Sequence, residues 1–233
     1  RLGSTMARAF GHAGWHVVIH YGQSVHEAEA LAAILPSAET ISCDLADRDA
    51  ALAMIDGLAA RLDDWRMLIN SAAVFPFDHA ETMTPAAFAS SMRVNAETPT
   101  AMAQRFLTTA KARGGRRVIN VTDQKIANPN PDFFSYTMSK HALSATVRML
   151  AMAQEQAADR IYAIAPGAIL ASHDQTEAEI ETSHRLNLLR RKTSAEEIER
   201  KFNQQAVDVV YRALEDFVYV GARYNRVKGR LAA

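Results

Sequence analysis

At least five times along this chain, a stretch with helical spacing gives way to a short run rich in β-branched and aromatic residues. The runs fall at 15–21, 39–43, 67–69, 117–121 and 161–165, and the helical stretches at 4–13, 25–35, 47–62, 85–113 and 134–156. Strands and helices in alternation build βαβ units, whose strands lie parallel and are covered on their faces by the helices. The rhythm therefore predicts an α/β fold with a doubly wound parallel sheet. Ser4 suits the N-cap of the first helix, Gly14 its stop, and Pro36 the end of the second. With no repeat and no low-complexity linker, the 233 residues read as a single domain, 1–233. Within it the polar stretch 172–200 (His173, Asp174 and Gln175, then Arg190, Arg191 and Lys192) reads as a helical substrate-loop excursion or as solvated surface.

In open parallel sheets, ligands sit beyond the C-terminal ends of the strands, so the polar residues there carry the functional information. Tyr136-Thr137-Met138-Ser139-Lys140 opens the helical stretch 134–156. Positions i and i+4 share a helix face, so the phenol and the ammonium can point at one volume. A nearby cation favours phenolate, and the sequence predicts a tyrosine pKa lowered by Lys140, making the phenol a usable proton donor near neutrality. The alternative is a core tyrosine beside a solvated lysine. Asp123 lies thirteen residues upstream, just past the strand that ends at Val121, where a carboxylate can share the pocket of the Tyr136 helix. Asn95 interrupts the long tract 85–113, where asparagine is a poor helix former, as a bulge, a cap or a functional group. Asn70-Ser71-Ala72-Ala73 ends another strand in small residues that let a flat ligand approach the backbone, and Pro166-Gly167 closes the last strand. Each element alone is ordinary turn chemistry; together they supply four strand ends in the order a single site needs.

These pieces resemble the short-chain dehydrogenase/reductase family, over nearly the whole chain to about residue 170. Tyr136-x-x-x-Lys140, Asn70-Ser71-Ala72-Ala73, Asn95, Asp44 and Pro166-Gly167 match the family's motifs in order. The resemblance implies a Rossmann-type domain, and it gives meaning to the opening Arg1-Leu2-Gly3-Ser4. Members begin with a strand and a Gly-rich turn, which this sequence is expected to lack, with Arg1 and Gly3 as the tail of that turn. Two departures narrow the reading. Asp123 replaces the usual catalytic serine, and a carboxylate there would repel the alkoxide that develops during ketone reduction. It suits instead a substrate with a ring nitrogen to protonate and N–H donors to bind. After the next strand comes His20-Tyr21-Gly22-Gln23-Ser24, with no acid until Glu27, whereas NAD-binding members place an acid near this point. Arg1, His20 and Ser24 could hold a 2′-phosphate, so NADPH is the expected cofactor. These features are similar to the pteridine reductase branch, which includes dihydromonapterin and dihydrofolate reductases. That resemblance implies a pterin stacked on Phe75.

The resemblance thus implies catalytic roles for Asp123, Tyr136, Lys140 and Asn95. Cofactor would be held by Arg1, Gly3, His20, Tyr21, Ser24, Asp44, Leu45, Asn70, Ser71, Ala72, Lys140, Pro166 and Gly167, and substrate by Phe75, Asp123 and Tyr136. A homotetramer is implied by the resemblance alone. Reduction of a ketone or a 3-oxoacyl thioester, or a non-catalytic cofactor-binding or scaffold role, are the alternatives. Twenty-six basic residues balance 26 acidic ones, so no global field draws nucleic acid or an anionic membrane. The single cysteine, Cys43, cannot form an internal disulfide, which fits a cytoplasmic location. The eight histidines show no metal-ligand spacing, so no metal site is expected. After residue 200 the resemblance fades: 217–221 is strand-like, and the basic run Arg223, Arg226, Lys228 and Arg230 reads as a solvated tail.

Overall fold

The computed structural model describes residues 2–166. Arg1, Gly167, the stretch 172–200, the run 217–221 and the basic segment after it lie outside the described residues. The described chain alternates helix and strand: α1 (Leu2–His12), β1 (Val17–Tyr21), α2 (Val25–Ala33), β2 (Ala38–Ser42), α3 (Arg48–Arg61) and β3 (Met67–Asn70), then α4 (Pro85–Met92), α5 (Thr98–Thr109), β4 (Arg117–Val121), α6 (Phe134–Ala153) and β5 (Arg160–Ile164). Every strand pairing is parallel, as the alternation requires. The strands form two sheets where one was expected, β1-β2 and β3-β4-β5. The chain correspondingly divides into two compact units at Ser42/Cys43, with Pro166 grouped with the first.

In the first unit, α1 buries Met6, Ala9, Phe10 and Gly11, a helical i, i+3, i+4 pattern. Phe10 meets Trp15 edge-on at 5.5 Å. Gly11 is held small by packing: a Cβ there would sit 2.9 Å from a Leu35 methyl. The helix starts at Leu2, so Gly3 lies in its first turn and Ser4 inside it. Ser4, expected at the N-cap, therefore lies within the helical backbone instead.

The second unit, from Cys43, carries a core of Ile55, Leu68, Met102, Ala103, Phe106, Leu107, Val118 and Ile161. Phe106 and Val118 are fully buried, and removing each such side chain from water contributes about 1.5–3 kcal/mol. Trp65 adds an edge-on contact to Phe106 at 4.8 Å while its indole N–H donates to Met67 O. Two of the helices start on side-chain caps. Asp47 accepts from Ala50 N at the head of α3, and Thr84 from Ala87 N at the head of α4, where Pro85 fills the first position.

The tract expected as one long helix, 85–113, is broken. Between α4 and α5 the chain widens into a π-helical turn, Arg93–Glu97. Its mark is the bond from Thr98 N to Arg93 O, five residues back, and Pro99 follows with no N–H to offer the carbonyl of Asn95.

Candidate active site

Two crossovers, β3 to β4 and β4 to β5, bring chemistry to the C-terminal end of β3-β4-β5. β4 ends at Val121, and Asp123 follows as the cap of a short 3-10 turn, its carboxylate accepting from Lys125 N at 2.8 Å. The second carboxylate oxygen accepts the phenol of Tyr136, Oη to Oδ2 at 2.8 Å. Lys140, one turn further along α6, donates from Nζ to the carbonyl of Val121 at 2.8 Å and sits 5.6 Å from the centre of the Tyr136 ring. Tyr136 and Lys140 are both buried. The i, i+4 expectation is thus met in geometry.

The expected electrostatics are not. Lys140 does not lower the phenol's pKa. Burial pushes Tyr136 well above the usual tyrosine range, and the charge of Asp123 and its hydrogen bond push it further. The carboxylate at hydrogen-bond distance outweighs a more distant ammonium. Tyr136 therefore stands as a firmly protonated donor to Asp123. Lys140 goes the other way: burial lowers it to about 8, against an upward pull from Asp123. It becomes a group that titrates near neutrality.

Asn95 is fully buried at the π-helical turn. Its Oδ1 accepts from Val74 N at 2.8 Å, and its Nδ2 donates to Val74 O at 2.9 Å and to Ser139 Oγ at 3.0 Å. One side chain thus ties the loop after β3 to the middle of the Tyr136–Lys140 helix turn. The Ser139 hydroxyl in turn donates a hydrogen bond to Tyr136 O at 2.6 Å. Sequence reasoning missed Ser139, although it stands three residues after Tyr136 on the same side of the helix.

Phe75 follows, and it is not free to serve as an isolated platform. It stacks on Phe133 at 4.1 Å with 13° between the rings and meets Tyr136 edge-on at 4.4 Å. It remains 42% exposed, so part of its surface can still meet a ligand. Phe77 packs edge-on against Phe133 from the other side at 5.1 Å and is exposed. Phe133, which the sequence did not single out, has φ of 53°, a conformation bulky residues rarely adopt. Such strain, held by surrounding contacts, is a pointer to function rather than a proof of it.

The expected cofactor residues divide between the two units. In the first, His20 and Tyr21 end β1 and Ser24 stands at the head of α2, with no side-chain cap bond. In the second, Asp44 folds its carboxylate onto Ala46 N, and Leu45 packs on the core while its carbonyl accepts from Thr98 Oγ1. The Asn70 side chain turns inward, donating to Pro99 O and to Asn120 Oδ1, and so is committed to the fold. What Asn70 leaves to a ligand is the small, open backbone of Ser71, Ala72 and Ala73. Pro166 lies two residues after the end of β5 in sequence.

A family model described as enoyl-(acyl carrier protein) reductase, of the short-chain dehydrogenase/reductase type, matches residues 2–202. Among solved structures, the chain is similar to alternative dihydrofolate reductase 1 from Brucella canis complexed with NADP, with 29% identity, a TM-score of 0.79, and coverage of 87% of this chain and 81% of that one. It is also similar to an angucycline C-6 ketoreductase with bound NADP, with 26% identity, a TM-score of 0.74, and coverage of 88% and 85%. Among curated proteins, it is 27% identical over 172 residues to a versicolorin reductase of Emericella nidulans, covering 72% of this chain and spanning 65% of that protein's length.

Proposed function

The chain belongs to the short-chain dehydrogenase/reductase family, and within it we propose an NADPH-dependent reductase that acts on a C=N bond of a pterin or folate. The observation that carries the reading is the Asp123–Tyr136 pair, a carboxylate hydrogen-bonded to the phenol where members usually place a serine. A serine hydroxyl can donate to a developing alkoxide; a carboxylate repels one. The same carboxylate can accept from ring N–H and amino groups of a pterin edge, which makes it complementary to a nitrogen heterocycle. The similarity to an alternative dihydrofolate reductase supports the same class, while the ketoreductase similarity supports the runner-up, reduction of a ketone.

The residues present fit the cofactor in chemical kind. Lys140 offers an ammonium with three donors, one of them given to Val121 O, and Ser71–Ala73 offers a backbone that lets a nicotinamide ribose approach. His20, Tyr21 and Ser24 supply donors for a 2′-phosphate, with no carboxylate among them. When bound, NADPH supplies the hydride. The chain's own residues do the rest. Asp123 holds the substrate edge and keeps the proton on Tyr136 until the ring nitrogen needs it. As Asp123 shares its charge with substrate N–H groups, the phenol is relieved of part of what raises its pKa and can give up its proton. Lys140 stabilises the phenolate left behind. Asn95, whose amide clasps Val74 and Ser139, would hold a water in the proton relay. The exposed edge of the Phe75–Phe133 stack gives the flat ring an apolar wall, worth about 1 kcal/mol beyond burial. On this reading 1–233 works as one catalytic domain in a cytoplasmic homotetramer.

The test is NADPH oxidation by the full-length protein, with a dihydropterin, dihydrofolate and a simple β-ketoester in parallel. Turnover confined to the first two is the expected result. Turnover of the ketoester alone would keep the family and overturn the substrate.

A further inference from the structure

Asp78, which neither the motifs nor the mechanism above uses, is buried in the loop between β3 and α4 with its carboxylate in the protein interior. Buried carboxylates need compensation, and this one finds it at the start of α6. The head of that helix is capped by Phe133, a residue with no side-chain acceptor to offer. Asp78 supplies the acceptor from elsewhere in the chain. Its carboxylate accepts from Ser135 N, at 3.1 and 3.3 Å for the two oxygens, and from the Ser135 hydroxyl. Its backbone carbonyl accepts from Phe133 N at 2.8 Å. Amides on both sides of Phe134 thus converge on one acidic residue, and the chain meets this demand with Phe133 in the left-handed region. Ala80 N donating to Pro131 O at 3.1 Å extends the same seam. A carboxylate at a helix N-terminus is also favoured by the helix dipole.

The consequence reaches the site through geometry. The loop from Val74 to Asp78 is fastened at one end by Asn95 and at the other by Asp78. Between the two fastenings lie Phe75 and Phe77, packed on Phe133, with Phe75 touching Tyr136. We propose that Asp78 is a positioning residue: by capping α6 and fixing Phe133, it sets the register of the Phe75–Phe133 stack against the Tyr136 phenol. The inference rests on the reading that Phe75 and Tyr136 face the substrate, so its test includes a measurement that needs no turnover.

Phenylalanine-selective 13C labelling of the full-length protein, with Phe75→Leu for assignment, reports the stack through ring-current shifts. In Asp78→Ala the Phe75 and Phe133 ring signals are expected to move toward unstacked positions. In the same variant kcat/KM for the planar substrate falls about tenfold, while KM for NADPH stays within about twofold. Asp78→Asn keeps one acceptor and recovers part of both effects. Unchanged ring signals and unchanged kcat/KM per folded molecule, with only a lowered Tm, would overturn the proposal and leave Asp78 a stability residue. If Asp78→Ala does not fold, Asp78→Asn and Ser135→Ala carry the same readouts, and wild-type ring signals in both would likewise overturn it. If the wild-type protein turns over no planar substrate, the substrate reading fails, and the ring signals alone decide the role of Asp78.

Discussion

The two ends of the β3-β4-β5 sheet are built from the same kinds of group and put them to different use. At the N-terminal end, Arg116 and Asp159 stand just before β4 and β5. The guanidinium grips the carboxylate from Nε at 3.1 and 3.3 Å and from a terminal nitrogen at 2.6 Å, and Arg116 N adds a fourth bond at 2.7 Å. The Asp159 side chain is fully buried and its charge is fully answered. Close by, Gly115 has φ of 91° and no room for a side chain, because a Cβ would fall 2.4 Å from Ala158 O. At the C-terminal end the charges are only partly answered. Among the described residues, Asp123 meets a neutral phenol and a backbone amide, and Lys140 meets a single carbonyl. The result is displaced protonation: a phenol held protonated and an ammonium brought down to about 8. A closed ion pair stabilises a sheet, whereas an incomplete one leaves protons available to move. Perturbed groups in such settings mark functional sites.

That contrast can be broken from either end. Tyr136→Phe removes the proton donor and is expected to lower kcat by about a hundred- to ten-thousand-fold, with little change in Tm, measured by steady-state NADPH oxidation and thermal unfolding. Wild-type kcat in this variant would remove the phenol from the mechanism. Asp159→Ala should do the reverse. It strands the largely buried Arg116 charge and is expected to cost about 3–5 kcal/mol of stability in denaturant unfolding, with kcat per folded molecule retained. A large loss of kcat at unchanged stability would show that the two ends are not separable.

The smallest effect is in the pH dependence. Lys140 has a folded pKa of about 8 and an ordinary value of 10.5. Between those values the unfolded chain holds a proton that the folded chain has released, so this group makes stability rise with pH across the window and weakens it below. Tyr136, raised above 10.0, stays protonated through the window up to that point. Replacing Lys140 with Met should flatten the rise, as read from unfolding free energies between pH 8 and 10.5. In the active enzyme the rate should fall as pH climbs past about 8, and Asp123→Asn should move that limb lower, because Asp123 holds the Lys140 pKa up.

Much of this was legible in the sequence, for physical reasons that differ between elements. The parallel pairing of β3, β4 and β5 followed from alternation, since a strand–helix–strand unit has little other way to bury both elements. Tyr136 and Lys140 fell on one face because helical periodicity is local. The hydrogen bond from Tyr136 to Asp123 was foreshadowed by the place of Asp123 just past the end of a strand. The direction of the tyrosine pKa was not legible, because it depends on burial and on a 2.8 Å contact rather than on spacing. Asn95 stood out as a poor helix former, but its clasp on Val74 spans 21 residues of sequence, and Asp78 reaches Ser135 across 57. Such partnerships are set by tertiary structure and leave only a faint trace, here an acid between aromatics in a loop. The bond from the Asn70 amide to Asn120 spans 50 residues and was likewise not legible from its motif position.

The central claim is that Asp123 selects a nitrogen heterocycle over a ketone. Asp123→Ser in the full-length protein, assayed against a dihydropterin and a β-ketoester, addresses it most directly. The account predicts that pterin turnover is lost, while any ketoester turnover is kept or gained as the repulsive charge goes. Pterin turnover unchanged in Asp123→Ser would contradict it.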